Sequence, residues 1–404
     1  MSQRRHTVPS LGEHVDPVLD AVSPLGWAVL ATAVVAWVVG WVGGWIELSY
    51  LAGMLTLLFA LSCLLTIGRT QLDVRVRVQP TRVRVGEAAA AEVRVRNDGR
   101  LPVPAMPLEL GIGESAVAVQ LPAIRPTESF DDVVILPTGR RGVYPIGPAT
   151  TLRGDPFGLV RRAVRRTDPV ELIVHPHTVY VDGFTSGILR DLEGRTTEDV
   201  SSSDLAFHGL REYVPGDDRR HIHWLSTAKR SSAAGQSDLM VRQFLDTRRT
   251  SVGVVADCAA TSYADPDHFE TVLSAAASIA QRAAHDKIEL SVAAGSFVLR
   301  GPRGNAALDL FARARLGPEQ LDAATGRLVQ FAPTLSSVAL VIGEHADLAR
   351  VARARTSLAP GVNVHVLRFE PGADVRLQHA SGMTLVTFGS LEDLPAALAG
   401  RRRA

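Results

Sequence analysis

The stretch SVGVVADCAAT, residues 251–261, is where the chain changes character. Val252 to Ala256 is an uninterrupted apolar run of strand length that ends on an acid, Asp257. Downstream, apolar strands alternate with amphipathic helices. Helices are expected at His268–His285, near Leu308–Ala314, near Pro318–Val329, at Asp347–Ala354 and at Leu391–Leu398; strands at Ile288–Ala293, Val338–Ile342, Val362–Phe369 and Thr384–Phe388. Apolar runs set between helices describe a mostly parallel sheet covered on both faces, so residues 251–400 predict a doubly wound α/β domain. Asp257 then sits at the carboxyl edge of the first strand, where open α/β sheets bind ligands.

Upstream the period falls to two. Leu72 to Val78 reads L-D-V-R-V-R-V, and Arg82–Val85 and Ala91–Arg96 repeat it, with Val inward and Arg or Glu outward. Further strands at Leu108–Leu110, Ala116–Gln120, Asp132–Leu136, Val143–Ile146 and Val170–Val174, with turns such as Asn97-Asp98-Gly99, predict an Ig-like β-sandwich over residues 72–176. Within it, Asp155-Pro156-Phe157-Gly158 predicts a turn anchored by a buried Phe157.

Ahead of the sandwich, Leu25–Ile46 and Leu48–Ile67 carry no charge, and each approaches the roughly twenty residues that a bilayer core requires. Residues 24–68 therefore predict a two-helix transmembrane hairpin closed by a tight turn at Gly43, Gly44 and Glu47, with Trp41, Trp45 and Tyr50 around it. A second apolar run following at once argues against a cleaved signal peptide. Arg4 and Arg5 precede the pair and Arg69, Arg75 and Arg77 follow it, so the positive-inside rule puts both termini and the soluble domains in the cytoplasm, beneath the cell membrane. Residues 1–23, polar and broken by prolines, read as a flexible tail.

The 404 residues are enough for two or three domains. Lys+Arg 43 against Asp+Glu 42 gives no electrostatic argument for a nucleic-acid partner. Cys63 and Cys258 are not expected to pair. No GxxxxGK[ST] phosphate loop and no G-x-S-x-G elbow with a triad occurs. Arg401 to Arg403 read as a solvated tail.

The connecting segment, residues 177–250, contains FHGLREYVPGDDRRHIHWLSTAKR at 207–230, dense in charge and without core periodicity. Pro215 and Gly216 predict a turn that ends an extended Leu210–Val214. Asp217 is then placed as the N-cap, and Asp218 as a dipole-favouring acid, of a short helix running to Lys229. Arg211, Glu212, Arg219, Arg220, Lys229 and Arg230 surround it, with Trp224 as the one large ring. Two readings follow: a structural clamp of paired guanidinium and carboxylate groups, or a catalytic site using Asp217, Asp218, Glu212 and His223 with Arg211 or Arg220 as an anion clamp. His221 and His223, two apart on a helix, cannot share a metal ion.

These residues also carry a resemblance. Gly209, Arg211, Tyr213, Gly216, Asp217, Arg220, Ile222, Trp224 and, one place displaced, Ala228 to Arg230 follow the signature of the bacterial domain of unknown function 58 family. In RRGVYPIGPATTLRGDPFGLVRR, the residues Arg141, Gly142, Gly147, Asp155, Pro156, Phe157 and Gly158 resemble that family's other common block. The resemblance, joined to the position of Asp257, implies a von Willebrand factor A-like domain, whose metal site normally reads D-x-S-x-S. Here Asp257 and Thr261 match, but Ala259 removes an oxygen ligand that Mg²⁺ needs and Glu344 does not restore the pattern, so no cofactor is expected. Proteins of similar layout are often encoded near MoxR-class AAA+ ATPases and transglutaminase-like membrane proteins. The resemblance thus implies a membrane-anchored adaptor that works with such an ATPase; the alternative is a hydrolase-like enzyme built on the carboxylates of the signature and His223.

Overall fold

The computed structural model describes residues 21–66, 71–181, 200–201, 207–215, 217, 219–234, 239–245, 251–301, 305–380 and 382–399. The chain divides into two compact units, Met1–His175 and Pro176–Ala404. Most of the expected N-terminal tail, residues 182–199 and 202–206 of the connecting segment, Gly216, Asp218 and Arg401 to Arg403 lie outside the described residues.

The first unit opens with two apolar helices, α1 (Pro24–Gly43) and α2 (Ile46–Thr66), both long and apolar enough to cross a membrane. Pro24 occupies a first-turn position where its missing N–H costs nothing, and the Ser23 side chain caps the helix by accepting from the Gly26 N–H. Gly44, at φ 68°, ends α1 in the left-handed conformation. The turn is tighter than the sequence implied, because Glu47 joins the first turn of α2, where its charge favours the helix N-terminus. Large side chains face outward around both helices, Trp37 at 60% exposure and Leu57 at 69%, which a core helix of a soluble protein does not show. Small residues bring the helices together: a Cβ on Gly40 would meet the Ser49 hydroxyl at 2.9 Å.

The sandwich follows as β1 (Leu72–Gln79), β2 (Arg82–Arg84), β3 (Ala90–Asn97), β4 (Met106–Ile112), β5 (Ser115–Leu121), β6 (Ser129–Ile135), β7 (Gly142–Gly154), β8 (Arg161–Arg165) and β9 (Val170–His175). One sheet has the order β1-β3-β6; the other is β2-β9-β7-β4-β5, with β8 on β7. Strand β3 shows the alternation: Ala91, Val93 and Val95 are buried against Leu108, Leu110 and Leu172 while Glu92, Arg94 and Arg96 face out. Neither β8 nor the second half of β7 was expected, since R-R-A-V-R carries no alternating apolar face. β8 is held instead by its ladder to β7, from Thr150 opposite Arg165 to Gly154 opposite Arg161.

The turn between β7 and β8 is not anchored by Phe157, which is 47% exposed. Asp155 holds it: one carboxylate oxygen accepts from the Val160 N–H at 2.7 Å and the other from the Phe157 N–H at 2.9 Å. Burial resists ionisation of Asp155, but these N–H donors outweigh it and keep the carboxyl below its ordinary range. Leu159 and Val160 are the buried residues of the turn. Its backbone is fastened to the start of α1, with the Ser23 hydroxyl donating to the Gly158 carbonyl at 2.6 Å and the Arg161 N–H to the Ala21 carbonyl at 2.6 Å. Ala21 to Ser23 thus belong to the fold rather than to a tail. A Cβ on Gly26 would lie 2.3 Å from the Leu159 carbonyl oxygen, so only glycine admits this approach.

The second unit begins with a small antiparallel sheet of order β10-β12-β11, made of β10 (Val200–Ser201), β11 (Phe207–Glu212) and β12 (Met240–Leu245). The helix expected from Asp217 starts later, as α3 (Trp224–Ala234), after a short 3₁₀ turn at Arg219–His221. Two local demands delay it: the Asp217 carboxylate is engaged by Arg211, and Ile222 takes an extended bridge to Val241.

The remainder alternates as β13 (Ser251–Ala256), α4 (Pro266–His285), β14 (Glu289–Ala294), β15 (Phe297–Arg300), α5 (Ala306–Arg313), α6 (Leu321–Phe331), β16 (Ser337–Ile342), α7 (Leu348–Thr356), β17 (Asn363–Phe369), β18 (Arg376–Ala380), β19 (Met383–Phe388) and α8 (Leu394–Leu398). The seven strands are ordered β15-β14-β13-β16-β17-β19-β18, the central five parallel and the two edges antiparallel. Val252 and Val254 pack with Leu273, Phe311 and Leu394 on one face, and Val255 packs with Leu328 and Val351 on the other. Helices therefore cover both faces, as doubly wound patterning predicts. The edge strands β15 and β18 were not expected; each turns back through a left-handed glycine, Gly295 at φ 55° and Gly382 at φ 72°.

Replacing Asp155 with Ala strands two N–H groups of the β7–β8 turn and is expected to lower the stability of the first unit by about 1–3 kcal/mol. Thermal unfolding of the detergent-solubilised full chain measures this, and an unchanged midpoint would contradict it.

Candidate functional site

Two places gather the residues singled out in the sequence, both in the second unit. In the first, Arg211 on β11 forms a two-pronged ion pair with Asp217, Nη1 to Oδ2 at 2.7 Å and Nη2 to Oδ1 at 2.6 Å. The Val214 N–H adds a third donor to Asp217 at 2.9 Å, and Arg211 also donates to the Glu212 carbonyl at 2.9 Å. The guanidinium of Arg211, followed by the Val214 N–H, holds the Asp217 carboxyl below its ordinary range, while the same bond raises Arg211. This pair closes the loop between β11 and α3. Gly209 and Tyr213 frame it through the β12 side: Gly209 lies opposite Gln243, and the Tyr213 N–H donates to the Leu239 carbonyl at 2.8 Å.

Of the residues of the catalytic reading, Asp218 lies outside the described residues, and Asp217 is locked to the Arg211 guanidinium. An ionised carboxylate locked to a guanidinium is a poor general acid. His223 directs Nδ1 to the Ser226 hydroxyl at 2.8 Å and accepts the Ser226 N–H at 3.2 Å, so it caps α3. Glu212 and Arg220 lie at the surface, and the side chain of Arg230 is outside the described residues. Trp224, Leu225 and Val214 face out, at 66%, 65% and 56% exposure. Leu225 and Val214 were not singled out as surface residues by sequence; on a polar helix with a weak apolar stripe, only the structure assigns the face.

The second place is the carboxyl edge of the parallel sheet. Asp257 is buried, its N–H bonded to the Val341 carbonyl at 2.9 Å, and its carboxylate accepts from the Ala259 N–H at 3.0 Å and from the Ser262 hydroxyl at 2.6 Å. Its carbonyl accepts the Tyr263 hydroxyl. Burial pushes the Asp257 carboxyl up, against the pull of Ser262, Ala259 and Arg350. Neighbouring loops press closely on this turn: the Gly317 N–H donates to the Cys258 carbonyl at 2.9 Å, and a Cβ on Gly343 would lie 2.3 Å from the Ser262 carbonyl oxygen.

Beside Asp257 opens a cleft of about 170 Å³, lined among others by Thr261, Ser262, His345, Asp347 and Arg350. Arg350 lies 3.6 Å from Asp322 and 3.9 Å from Asp347, so this cleft carries its own fixed cation. Glu344 does not join Asp257. Burial resists its ionisation, but the Ala264 N–H at 2.7 Å and His268 at 2.6 Å outweigh that and hold its carboxyl below the ordinary value. Among the described residues no group of three or more His, Cys, Asp and Glu is placed to hold a metal. Asp257, with both oxygens engaged by protein donors, and the hydroxyl of Thr261 do not make the oxygen shell that Mg²⁺ requires. The serine that meets Asp257 is Ser262, one residue beyond the position the D-x-S-x-S pattern inspects.

Two outcomes follow from this geometry. In a double-mutant cycle of Arg211→Ala and Asp217→Ala, both single changes are expected to lower the melting temperature and the double change to cost clearly less than their sum, whereas additivity would show that the pair is not coupled. For Asp257, a pKa raised in the folded state means that protonation favours folding and that this contribution is lost as pH rises above the ordinary carboxylate range. The melting temperature of Asp257→Asn relative to the parent chain is therefore expected to rise between about pH 4 and pH 7; a constant difference would contradict the shift.

No family model matches the sequence, and no curated protein matches it. Among solved structures, a CARDB domain from Pyrococcus furiosus is similar at 23% identity, with 27% of this chain and 92% of that chain covered and a TM-score of 0.21. A von Willebrand factor type A protein from Catenulispora acidiphila is similar at 16% identity, with 38% of this chain and 41% of that chain covered and a TM-score of 0.26.

Proposed function

We propose that this protein is a membrane-anchored cytoplasmic adaptor whose signature face docks a MoxR-class AAA+ ATPase. The observation that carries the reading is the outward set of Val214, Trp224 and Leu225 beside a charged pair already closed on itself. An exposed indole and leucine opening α3, with an exposed valine on a loop closed by a two-pronged ion pair, have the composition of a protein-docking hot spot. A catalytic role would ask for open, poised carboxylates in the same place.

The anchor in this reading is the helix pair, two apolar helices joined by a turn of two residues; Arg75 and Arg77, which follow it, favour the cytoplasmic side for the soluble units under the positive-inside rule. The ATPase partner, the assignment to the domain of unknown function 58 family, and a transglutaminase-like membrane protein as a second associate rest on the resemblance of residues 141–158 and 209–230. The α/β sheet with its carboxyl-edge cleft suits a von Willebrand factor A-like domain that binds a partner surface without metal.

The test is a crosslinking pull-down from native membranes with the intact chain and with Trp224→Ala/Leu225→Ala. Recovery of an AAA+ ATPase with the intact chain, and its loss with the folded variant, is the expected result. Equal recovery with both would remove the docking face from this surface, and no ATPase from folded intact protein would sink the adaptor.

A further inference from the structure

The β7–β8 hairpin has a composition that neither the sandwich nor the adaptor reading uses. Residues 153–166 hold five arginines, at 153, 161, 162, 165 and 166, and one acid, Asp155; Arg165 is paired with Asp168 at 3.1 Å. Asp155 is occupied by the Phe157 and Val160 N–H groups, so it offers the arginines little. In the ladder Arg153 stands directly opposite Arg162. The Arg166 guanidinium, drawn onto the Thr151 hydroxyl at 3.0 Å, is held below its ordinary value by burial and by the charge of Arg162. Arg161 and Arg162 are exposed.

The tip of this hairpin is fixed to the ends of both apolar helices. Ser23 and Gly26 at the start of α1 touch Gly158 and Leu159, and the buried Ser62 hydroxyl near the end of α2 bears on Asp155 without completing a hydrogen bond of good geometry. A bilayer crossed by α1 and α2 ends at this level. Phe157 is exposed there, as are Pro156, Arg161 and Arg162. An aromatic ring flanked by arginines at the level of a helix terminus suits the interfacial layer, where rings sit among headgroups and guanidinium groups meet phosphates.

We propose that the β7–β8 hairpin is a lipid-contact element: Phe157 enters the headgroup layer of the leaflet on the side of the soluble units, and Arg161 and Arg162 bind the phosphates of anionic phospholipids. The proposal rests on the reading of α1 and α2 as membrane-spanning. Its consequence is that the sandwich is held against the bilayer at two places, through the helices and through the hairpin, so lipid charge sets how firmly the first unit lies on the surface.

The test uses the full chain with Cys63→Ala and Cys258→Ala, carrying one spin label through Phe157→Cys or Glu87→Cys. Glu87 follows β2, which pairs with the end of β9 beside Gly142, so it lies a whole thirteen-residue strand from the β7 tip. The chains are reconstituted in vesicles of phosphatidylcholine with or without phosphatidylglycerol, and resistance to alkaline carbonate first reports insertion. In vesicles with phosphatidylglycerol, the label at 157 is expected to be about threefold or more less accessible to a water-soluble nickel chelate than the label at 87. Arg161→Glu/Arg162→Glu, with melting unchanged, is expected to abolish most of that protection. Extraction by carbonate would sink the membrane reading and the proposal with it. Inserted protein with equal accessibility at the two positions would sink the proposal alone, and equal protection in vesicles without phosphatidylglycerol would overturn the assignment to anionic lipid.

Discussion

The first unit depends on Asp155. A carboxylate buried between two apolar helices and a β-sandwich is unfavourable unless its oxygens are met, and here both are met by N–H groups of its own turn. That closes the Asp155–Val160 loop into a rigid knob whose outward carbonyls, at Gly158 and Leu159, are then available to Ser23. The same serine caps α1, so one side chain both begins the helix and fastens it to the sandwich. Helix pair and β-domain are joined by hydrogen bonds of fixed direction rather than by an apolar contact alone, which sets the angle at which the helices leave the domain.

A similar economy operates at the signature. Arg211 and Asp217 satisfy each other across a six-residue loop, which leaves the apolar residues of that loop without a charged shell to tuck beneath. Val214 precedes the turn and Trp224 opens the following helix, and both face outward, whereas Ile222 between them is buried and bridges to Val241. The charged residues that make the stretch conspicuous are thus the frame, and the less conspicuous apolar ones form the presented surface.

How far the sequence could be read follows the same division between pattern and pairing. The parallel strands β13, β14, β16, β17 and β19 are legible because each is an unbroken apolar run that only a doubly covered sheet buries, and the sandwich is legible where Val alternates with Arg. Strands β8, β15 and β18 are not legible: they lie at edges or on a ladder, need no apolar face, and are defined by antiparallel pairing with the neighbouring strand of a hairpin. The Asp217 helix start failed for a related reason. An acid after Pro-Gly is a good N-cap until a guanidinium six residues earlier competes for the same oxygens, and that competition is tertiary. Phe157 misled in the opposite sense, since a large ring in a turn is expected inside unless the turn itself sits against something outside the protein.

At the sheet edge the chemistry is decided by one residue of register. In a D-x-S-x-S loop the hydroxyls stand where they can share a cation with the acid. Here Ala259 offers only its N–H and Ser262, rather than the residue at 261, turns its hydroxyl onto Asp257 as a donor. The Ser262 hydroxyl, donating to the carboxylate, favours its ionised form, while burial opposes this and leaves the carboxyl raised. Arg350 on α7 faces the same cleft, held by Asp322 and Asp347. A guanidinium meets carboxylates through directional N–H groups, so Arg350 ties α7 to Asp322 of α6 across this edge through protein groups alone.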